Sequence, residues 1–134
     1  DIGCIAIPQE IITKPSRLTD DEQSKMREHP MLGHEMIADI EFPWPVKDVV
    51  LQHHERMDGK GYPRGIARQK ISPAGRIVSL ADVYDALSHA RCYKEAWPQD
   101  RVCEAIRAGS GTQFDPDISK EFMDMLEEDG FFNS

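Results

Sequence analysis

Apolar positions along this chain recur three and four residues apart, and no stretch alternates as a half-buried strand would. Thr19-Asp20-Asp21-Glu22 has the form of a capping box, the threonine oxygen accepting from the amide three residues on and the glutamate returning to the threonine amide. A helix is predicted from there towards His29, with Pro30 interrupting it or opening the next. Met31, Leu32, Glu35, Met36 and Ile37 predict a short following helix. Phe42-Pro43-Trp44-Pro45 breaks the pattern. Pro45 suits the first turn of another helix, on which Val46, Val49, Val50 and His53 share one stripe. Residues 56–71, rich in glycine and bases, predict an ordered loop. Ser72-Pro73 reads as N-cap and first helical position. Ile77, Leu80, Ala81, Tyr84 and Leu87 then predict the buried stripe of a central helix. Pro98 opens a helix with Val102, Ala105 and Ile106 that stops near Gly109. Asp115-Pro116 opens the last, with Ile118, Phe122, Met125 and Leu126 expected on its buried side. The predicted class is all-α.

The length of 134 residues fits one domain, which at that size buries roughly two-thirds of its unfolded surface. The net charge of −8 argues against bulk attraction to DNA or anionic lipid, and no apolar run approaches the ~20 residues of a spanning helix. The charge is uneven. Residues 115–134 carry seven acids and one base, whereas Arg56, Lys60, Arg64, Arg68, Lys70 and Arg76 are opposed only by Asp58. That basic segment suits a phosphate ligand or simply a solvated loop. Three cysteines without a CxxC spacing (Cys4, Cys92 and Cys103) predict free thiols in a reducing, cytoplasmic setting. Gly109-Ser110-Gly111-Thr112 lacks the lysine of a phosphate loop and reads as an interhelical turn. The chain opens on Asp1 without an initiator Met, as a piece of a longer polypeptide would.

Chemistry concentrates in five histidines: His29, His34, His53, His54 and His89. Adjacent helical residues point about 100° apart, so His53 and His54 can serve two neighbouring metal ions. Asp82, Asp85 and His89 lie along one helical face. Asp82, in an apolar stretch, is costly to bury unless it is paired or metal-bound. Histidines with carboxylates and without paired thiolates suit Fe, Mn, Zn or similar ions. Two or three such ions close together are a standard device for phosphodiester hydrolysis. The competing reading is an Asp82–Arg76 or Asp85–His89 ion pair within a helical core.

The run His53-His54-Glu55-Arg56-Met57-Asp58-Gly59-Lys60-Gly61-Tyr62-Pro63-Arg64-Gly65 resembles the signature of HD-GYP domains, a bacterial subgroup of the HD metal-dependent phosphohydrolases. The resemblance continues in family order through Asp1-Ile2-Gly3, Ile7-Pro8, Lys14-Pro15, Leu18-Thr19, His29-Pro30, Ala81–Leu87, Arg91-Cys92-Tyr93-Lys94 and Gly109–Pro116. It implies an all-α HD-domain-like bundle with an ordered GYP loop. It also implies two or three divalent ions (Fe, Mn, Zn or Ni) and hydrolysis of cyclic di-GMP to pGpG, or onward to GMP, as the output domain of a signalling protein. Asp1, His29, His53, His54 and Asp82 fall on metal-ligand positions, with Asp1 the HD aspartate. Tyr62, flanked by Gly61 and Pro63, falls where the loop approaches the nucleotide, its ring suited to stacking on guanine. Arg91 and Lys94 fall on substrate-contacting positions, and Asp85 is expected to steady the site.

Two departures accompany the resemblance. Cys4 stands where the family carries a lysine that meets substrate phosphate. The His of the HD pair and the upstream helices lie outside the 134 residues, so a single domain truncated at its N-terminal side is expected. A weakened module that binds cyclic di-GMP, or docks a protein such as a diguanylate cyclase, is the alternative implied. Exposed apolar residues near Asp1 also suit a homodimer. No insertion of this segment into a membrane is expected.

Overall fold

The capping box forms as the sequence dictates, and it starts the second of the regular helices. Thr19 Oγ1 accepts from the Glu22 amide at 3.3 Å, and Glu22 accepts from the Thr19 amide at 2.8 Å while pairing with Lys14 at 2.6 Å. The structure is a computed structural model describing residues 1–91 and 94–130. Among those residues the α-helices are α1 (Gln9–Ile12), α2 (Asp20–Met26), α3 (His29–Met36), α4 (Val46–Gln52), α5 (Pro73–Ser88), α6 (Gln99–Gly109) and α7 (Pro116–Glu128). Short 3-10 turns occupy Ile2–Ala6 and Arg68–Lys70, and the only extended pairing among the described residues is two isolated bridges. The class is all-α. No described helix is long and apolar enough to cross a membrane.

Packing proceeds in two layers that share α5. The opening 3-10 turn and α4 pack on α3, and α4 packs on α5; on its other side α5 meets α6 and α7. This second layer holds the larger apolar cluster: Leu80, Val102, Cys103, Ile106, Phe114, Met123 and Leu126, joined by Val83, Tyr84 and Leu87. Val102 and Ile106 are fully enclosed, each contributing about 1.5–3 kcal/mol by burial. Cys4 and Cys103 are free thiols, and Cys92 lies outside the described residues.

Three expectations need correction. Pro45 is the N-cap of α4 rather than a residue of its first turn. Ile77 and Ala81 are exposed, Ile77 at 54%. Helix α5 is covered on two sides and its open strip runs through 77, 81 and 85. In α7 the buried methionine is Met123, one turn before Leu126, and Met125 faces outward.

One long-range ion pair joins the second layer to the start of α5. Arg76 donates to Ile71 O at 2.9 Å and to Asp115 Oδ2 at 2.8 Å. The other oxygen of Asp115 caps α7 by accepting from the Asp117 and Ile118 amides. Burial raises the Asp115 carboxyl, but the bonds from Arg76 and the two amides outweigh this and hold it below its ordinary value of 3.8. The folded state thus binds this proton less readily than the unfolded chain. The stabilisation is present above pH ~4 and is lost as pH falls through the lowered value. Arg76→Met is expected to cost about 3 kcal/mol at pH 7 in urea unfolding, the low end for an unpaired buried charge. Its deficit should shrink on acidification below pH ~4, and a deficit independent of pH would refute the pairing.

Candidate metal centre

Four ligand atoms converge where the opening turn, α3 and the end of α4 meet. One atom each from Asp1, His29, His53 and His54 lies within 4.8 Å of all the others. The hydrogen bonds fix the tautomers of two of the rings. His29 Nδ1 faces Met26 O at 2.6 Å, and His53 Nδ1 faces Val49 O and Val50 O at 3.0 Å. A carbonyl only accepts, so in the neutral ring each Nδ1 carries the proton and each Nε2 presents a lone pair. Those Nε2 atoms point at the same oxygen, Asp1 Oδ1, at 3.4 Å and 2.9 Å. Both are buried and have no hydrogen-bond donor. Acceptors gathered around one point without a donor are held apart by repulsion unless a cation sits among them. The donor set fits a divalent metal.

Electrostatics agrees. Burial first, then the neighbouring His53 and His29, push His54 down to about 3. Burial likewise lowers His29, partly offset by its bond to Met26. Both rings are therefore neutral near pH 7, the form a metal requires.

Two glycines let these elements meet. A Cβ on Gly3 would overlap the His29 carbonyl oxygen and stand 2.7 Å from Gly33 N. Gly33 in turn lies against Gly3 and Val50. Without side chains at these positions the opening turn lies directly on α3, bringing Asp1 beside His29.

The loop 56–71 forms the outer wall. Tyr62 stacks on His54, with ring centroids 4.8 Å apart and planes 13° off parallel. Burial pushes its hydroxyl up to about 12, so the phenol is neutral. Gly61 is required for space rather than for a positive φ, since a Cβ there would stand 2.5 Å from His54 O. The positive values belong to Gly59 (φ 77°) and Gly65 (φ 63°). The Tyr62-Pro63 peptide is cis. Glu55, only 2% exposed, accepts from the Arg64 amide at 2.7 Å and fastens the loop to the end of α4. Met57 and Asp58 donate their amides to Gln113 O and Thr112 O, at 3.3 and 2.8 Å, which docks the loop on the α6–α7 turn. Two hollows flank the cluster. One of about 150 Å³ is lined by Asp1, His29, His53 and Asp82, and one of about 270 Å³ by His53, His54, Glu55 and Tyr62 with Arg27, Arg56 and Lys60.

Residues 1–118 match the family described as HD domain. This chain belongs to the HD domain family. A cyclic di-GMP phosphodiesterase of Vibrio cholerae is 40% identical over 96% of the chain, which spans 27% of that relative. The cyclic di-GMP phosphodiesterase response regulator RpfG of Xanthomonas campestris is 44% identical over 87% of it, and there the chain spans 31%. Bd1817, an HDG"Y"P protein from Bdellovibrio bacteriovorus, superposes with a TM-score of 0.70 at 20% identity, over 93% of this chain and 40% of that one. The chain thus spans about a third or less of the curated relatives, and within the family it is an HD-GYP domain.

Within this HD-GYP domain the structure brings together Asp1, His29, His53 and His54, four of the five positions that the resemblance marks. Asp82 reaches the same small hollow from α5 without joining the tight group of four. The suggested Asp82–Arg76 pair does not form, because Arg76 is taken by Asp115. Asp85 is not brought to the cluster. It is 65% exposed and pairs with His89 at 3.1 Å and with Arg91 at 3.9 Å, the ion pair that competed with a metal role. Arg91 and Lys94 line neither hollow; their backbones pair in a bridge, and Lys94 Nζ rests 4.7 Å from the Trp97 ring centroid. Cys92 and Tyr93 between them lie outside the described residues. Cys4 is half-buried, its thiol pushed up by burial. Tyr62 has one face against His54. Sequence reasoning missed Glu55 and Arg27 as site-forming residues. Glu55 stands beside His54 in the signature run, but its bond to the Arg64 amide reaches nine positions along the chain and leaves no local signal.

Proposed function

We propose that this HD-GYP domain is a metal-dependent phosphodiesterase that hydrolyses cyclic di-GMP to pGpG, or on to GMP, as the output domain of a bacterial signalling protein. The observation that carries this reading is the convergence of the His29 and His53 Nε2 lone pairs on the Asp1 carboxylate without a donor. The activities named for the two curated relatives point the same way. Asp1, His29, His53 and His54 would hold two or three divalent ions together with Asp82. When bound, such ions activate water and stabilise the departing oxygen. His and carboxylate donors admit Fe, Mn, Zn or Ni alike.

The chain's own residues do the positioning. The Met26, Val49 and Val50 carbonyls keep the Nδ1 protons of His29 and His53 and so aim their Nε2 lone pairs inward. Tyr62 covers one face of His54 and excludes water from it. The 150 Å³ hollow has room for ions and a few waters but not for a dinucleotide, since ligand sites run to about 300–1,000 Å³. The hollow beside Tyr62, at about 270 Å³, is also too small to enclose a dinucleotide, so the body of the substrate is proposed to lie on the open surface across exposed Asp1 and that hollow. Arg91 and Lys94 are proposed as substrate-binding residues on the resemblance alone.

Cys4 in place of the family lysine favours a second reading, a binding module for the same nucleotide. Purified protein loaded with Mn(II) or anaerobic Fe(II) should release pGpG from cyclic di-GMP and stop on addition of a chelator. Binding without release of pGpG would replace the phosphodiesterase by the binding module.

A further inference from the structure

The 270 Å³ hollow beside the cluster is bordered by three bases. Arg56 is spent on Asp58, donating from Nε at 3.1 Å and from its terminal nitrogen at 2.8 Å. Arg27 is different. It sits at the C-cap of α2, is exposed, and has no ion-pair partner among the described residues. Its guanidinium carbon lies 5.3 Å from the Tyr62 ring centroid. The same ring stacks on His54 at 4.8 Å, so Tyr62 links this guanidinium to the cluster. Lys60 borders the hollow as a second exposed cation. Of the carboxylates nearby, Asp58 is engaged by Arg56 and the Lys60 amide, whereas Glu55 gives one oxygen to the Arg64 amide and keeps its buried Oε2 unpartnered, a charge that the bases bordering the hollow outnumber.

A cyclic dinucleotide carries two phosphodiesters, and only one can occupy the cluster at a time. The other remains charged and needs a partner a short way off. A guanidinium offers a bidentate fork to a phosphate, and contact with an aromatic ring restricts its orientation beforehand. Building on the phosphodiesterase reading, we infer that Arg27 binds the phosphodiester that is not being cleaved, with Lys60 as an auxiliary charge. Arg27 is thus a substrate-binding residue supplied by α2, outside the motif-bearing run, and it places the second half of the substrate over the larger hollow.

The test measures steady-state hydrolysis and calorimetric binding of cyclic di-GMP by the metal-loaded protein. Arg27→Ala and Arg27→Gln should raise KM and Kd tenfold or more, with kcat falling less than threefold and metal content unchanged. Arg27→Lys should recover a substantial part of the loss. Lys70→Ala, removing an exposed cation that borders neither hollow, should leave KM within twofold. An active wild type with unchanged KM in both Arg27 variants would overturn this inference and leave the phosphodiesterase reading standing. So would an equal loss in Lys70→Ala, which would make the effect one of bulk charge, or a parallel fall in kcat and bound metal. A metal-loaded wild type that neither binds nor cleaves the nucleotide would overturn the functional reading and this inference with it.

Discussion

His53→Ala is expected to remove most of the bound metal and to lower cyclic di-GMP hydrolysis by more than 100-fold. Replacing a group that merely orients a metal-binding histidine typically costs 10–100-fold, so loss of a ligand should exceed that range. His53 is the sharpest choice among the four. Its Nε2 makes the shortest approach to Asp1, at 2.9 Å, and it lines both hollows. It is also the residue on which α4 ends, with its ring anchored to the Val49 and Val50 carbonyls. Alanine therefore removes the donor without changing the course of the helix. A ligand that binds only the native state raises its stability in proportion to the logarithm of concentration over Kd. Wild type should melt at a higher temperature when Mn(II) is added, and His53→Ala should lose that increment. Elemental analysis, a thermal scan with and without metal, and the hydrolysis assay read three aspects of one event. Unchanged metal content in the variant would refute the assignment.

Gly3→Ala is expected to have the largest effect on folding of any single methyl added to this chain. The new Cβ would overlap the backbone carbonyl oxygen of His29 and crowd the amide of Gly33. Backbone cannot rotate away as a side chain tip can. The opening turn would have to lift off α3, at about 3 kcal/mol or more, the upper end of overpacking costs. Because Asp1 travels with that turn, metal affinity should fall with stability. Gly33→Ala offers an internal comparison. Its nearest obstacles are the Val50 methyl at 2.9 Å, a side chain able to shift, and the Gly3 amide nitrogen at 3.0 Å, a much milder crowding than the overlap at Gly3, so about 1–2 kcal/mol is expected. Urea midpoints and metal titrations of the two variants measure the difference. Equal effects would show that the close approach at Gly3 is not what holds Asp1 in place.

Features that depend on neighbours in sequence were the readable ones. The Thr19 box, the Ser72 cap before Pro73 and the Asp115 cap before Pro116 all form, because each bond spans two or three residues. The metal cluster was readable only through a family resemblance, since spacing alone favoured an ion pair. Periodicity misled where a helix is covered from two sides. A single stripe through Ile77 and Ala81 looked buried, yet α5 gives one side to α6 and α7 and another to α4 and the small hollow. Contacts between distant segments carry no local signal. Arg76 meets Asp115 across 39 positions, and Arg27 reaches Tyr62 from a different helix. The direction in which Tyr62 faces depends on where His54 ends up, which no pattern within the loop specifies.

The docking of loop 56–71 on the α6–α7 turn has a dynamic consequence. Stability is spent unevenly in proteins, and segments joined by hydrogen bonds open together. The Met57 and Asp58 amides tie the outer wall of the metal centre to Gln113 and Thr112, while Arg76 holds Asp115 only two residues beyond. The anchor of the loop that carries Tyr62 therefore rests on the same turn that Arg76 fastens to α5. The half of the molecule that contributes no atom to the four-residue cluster thereby supplies the footing of its outer wall, so the local stability of that wall is inherited from the α6–α7 layer.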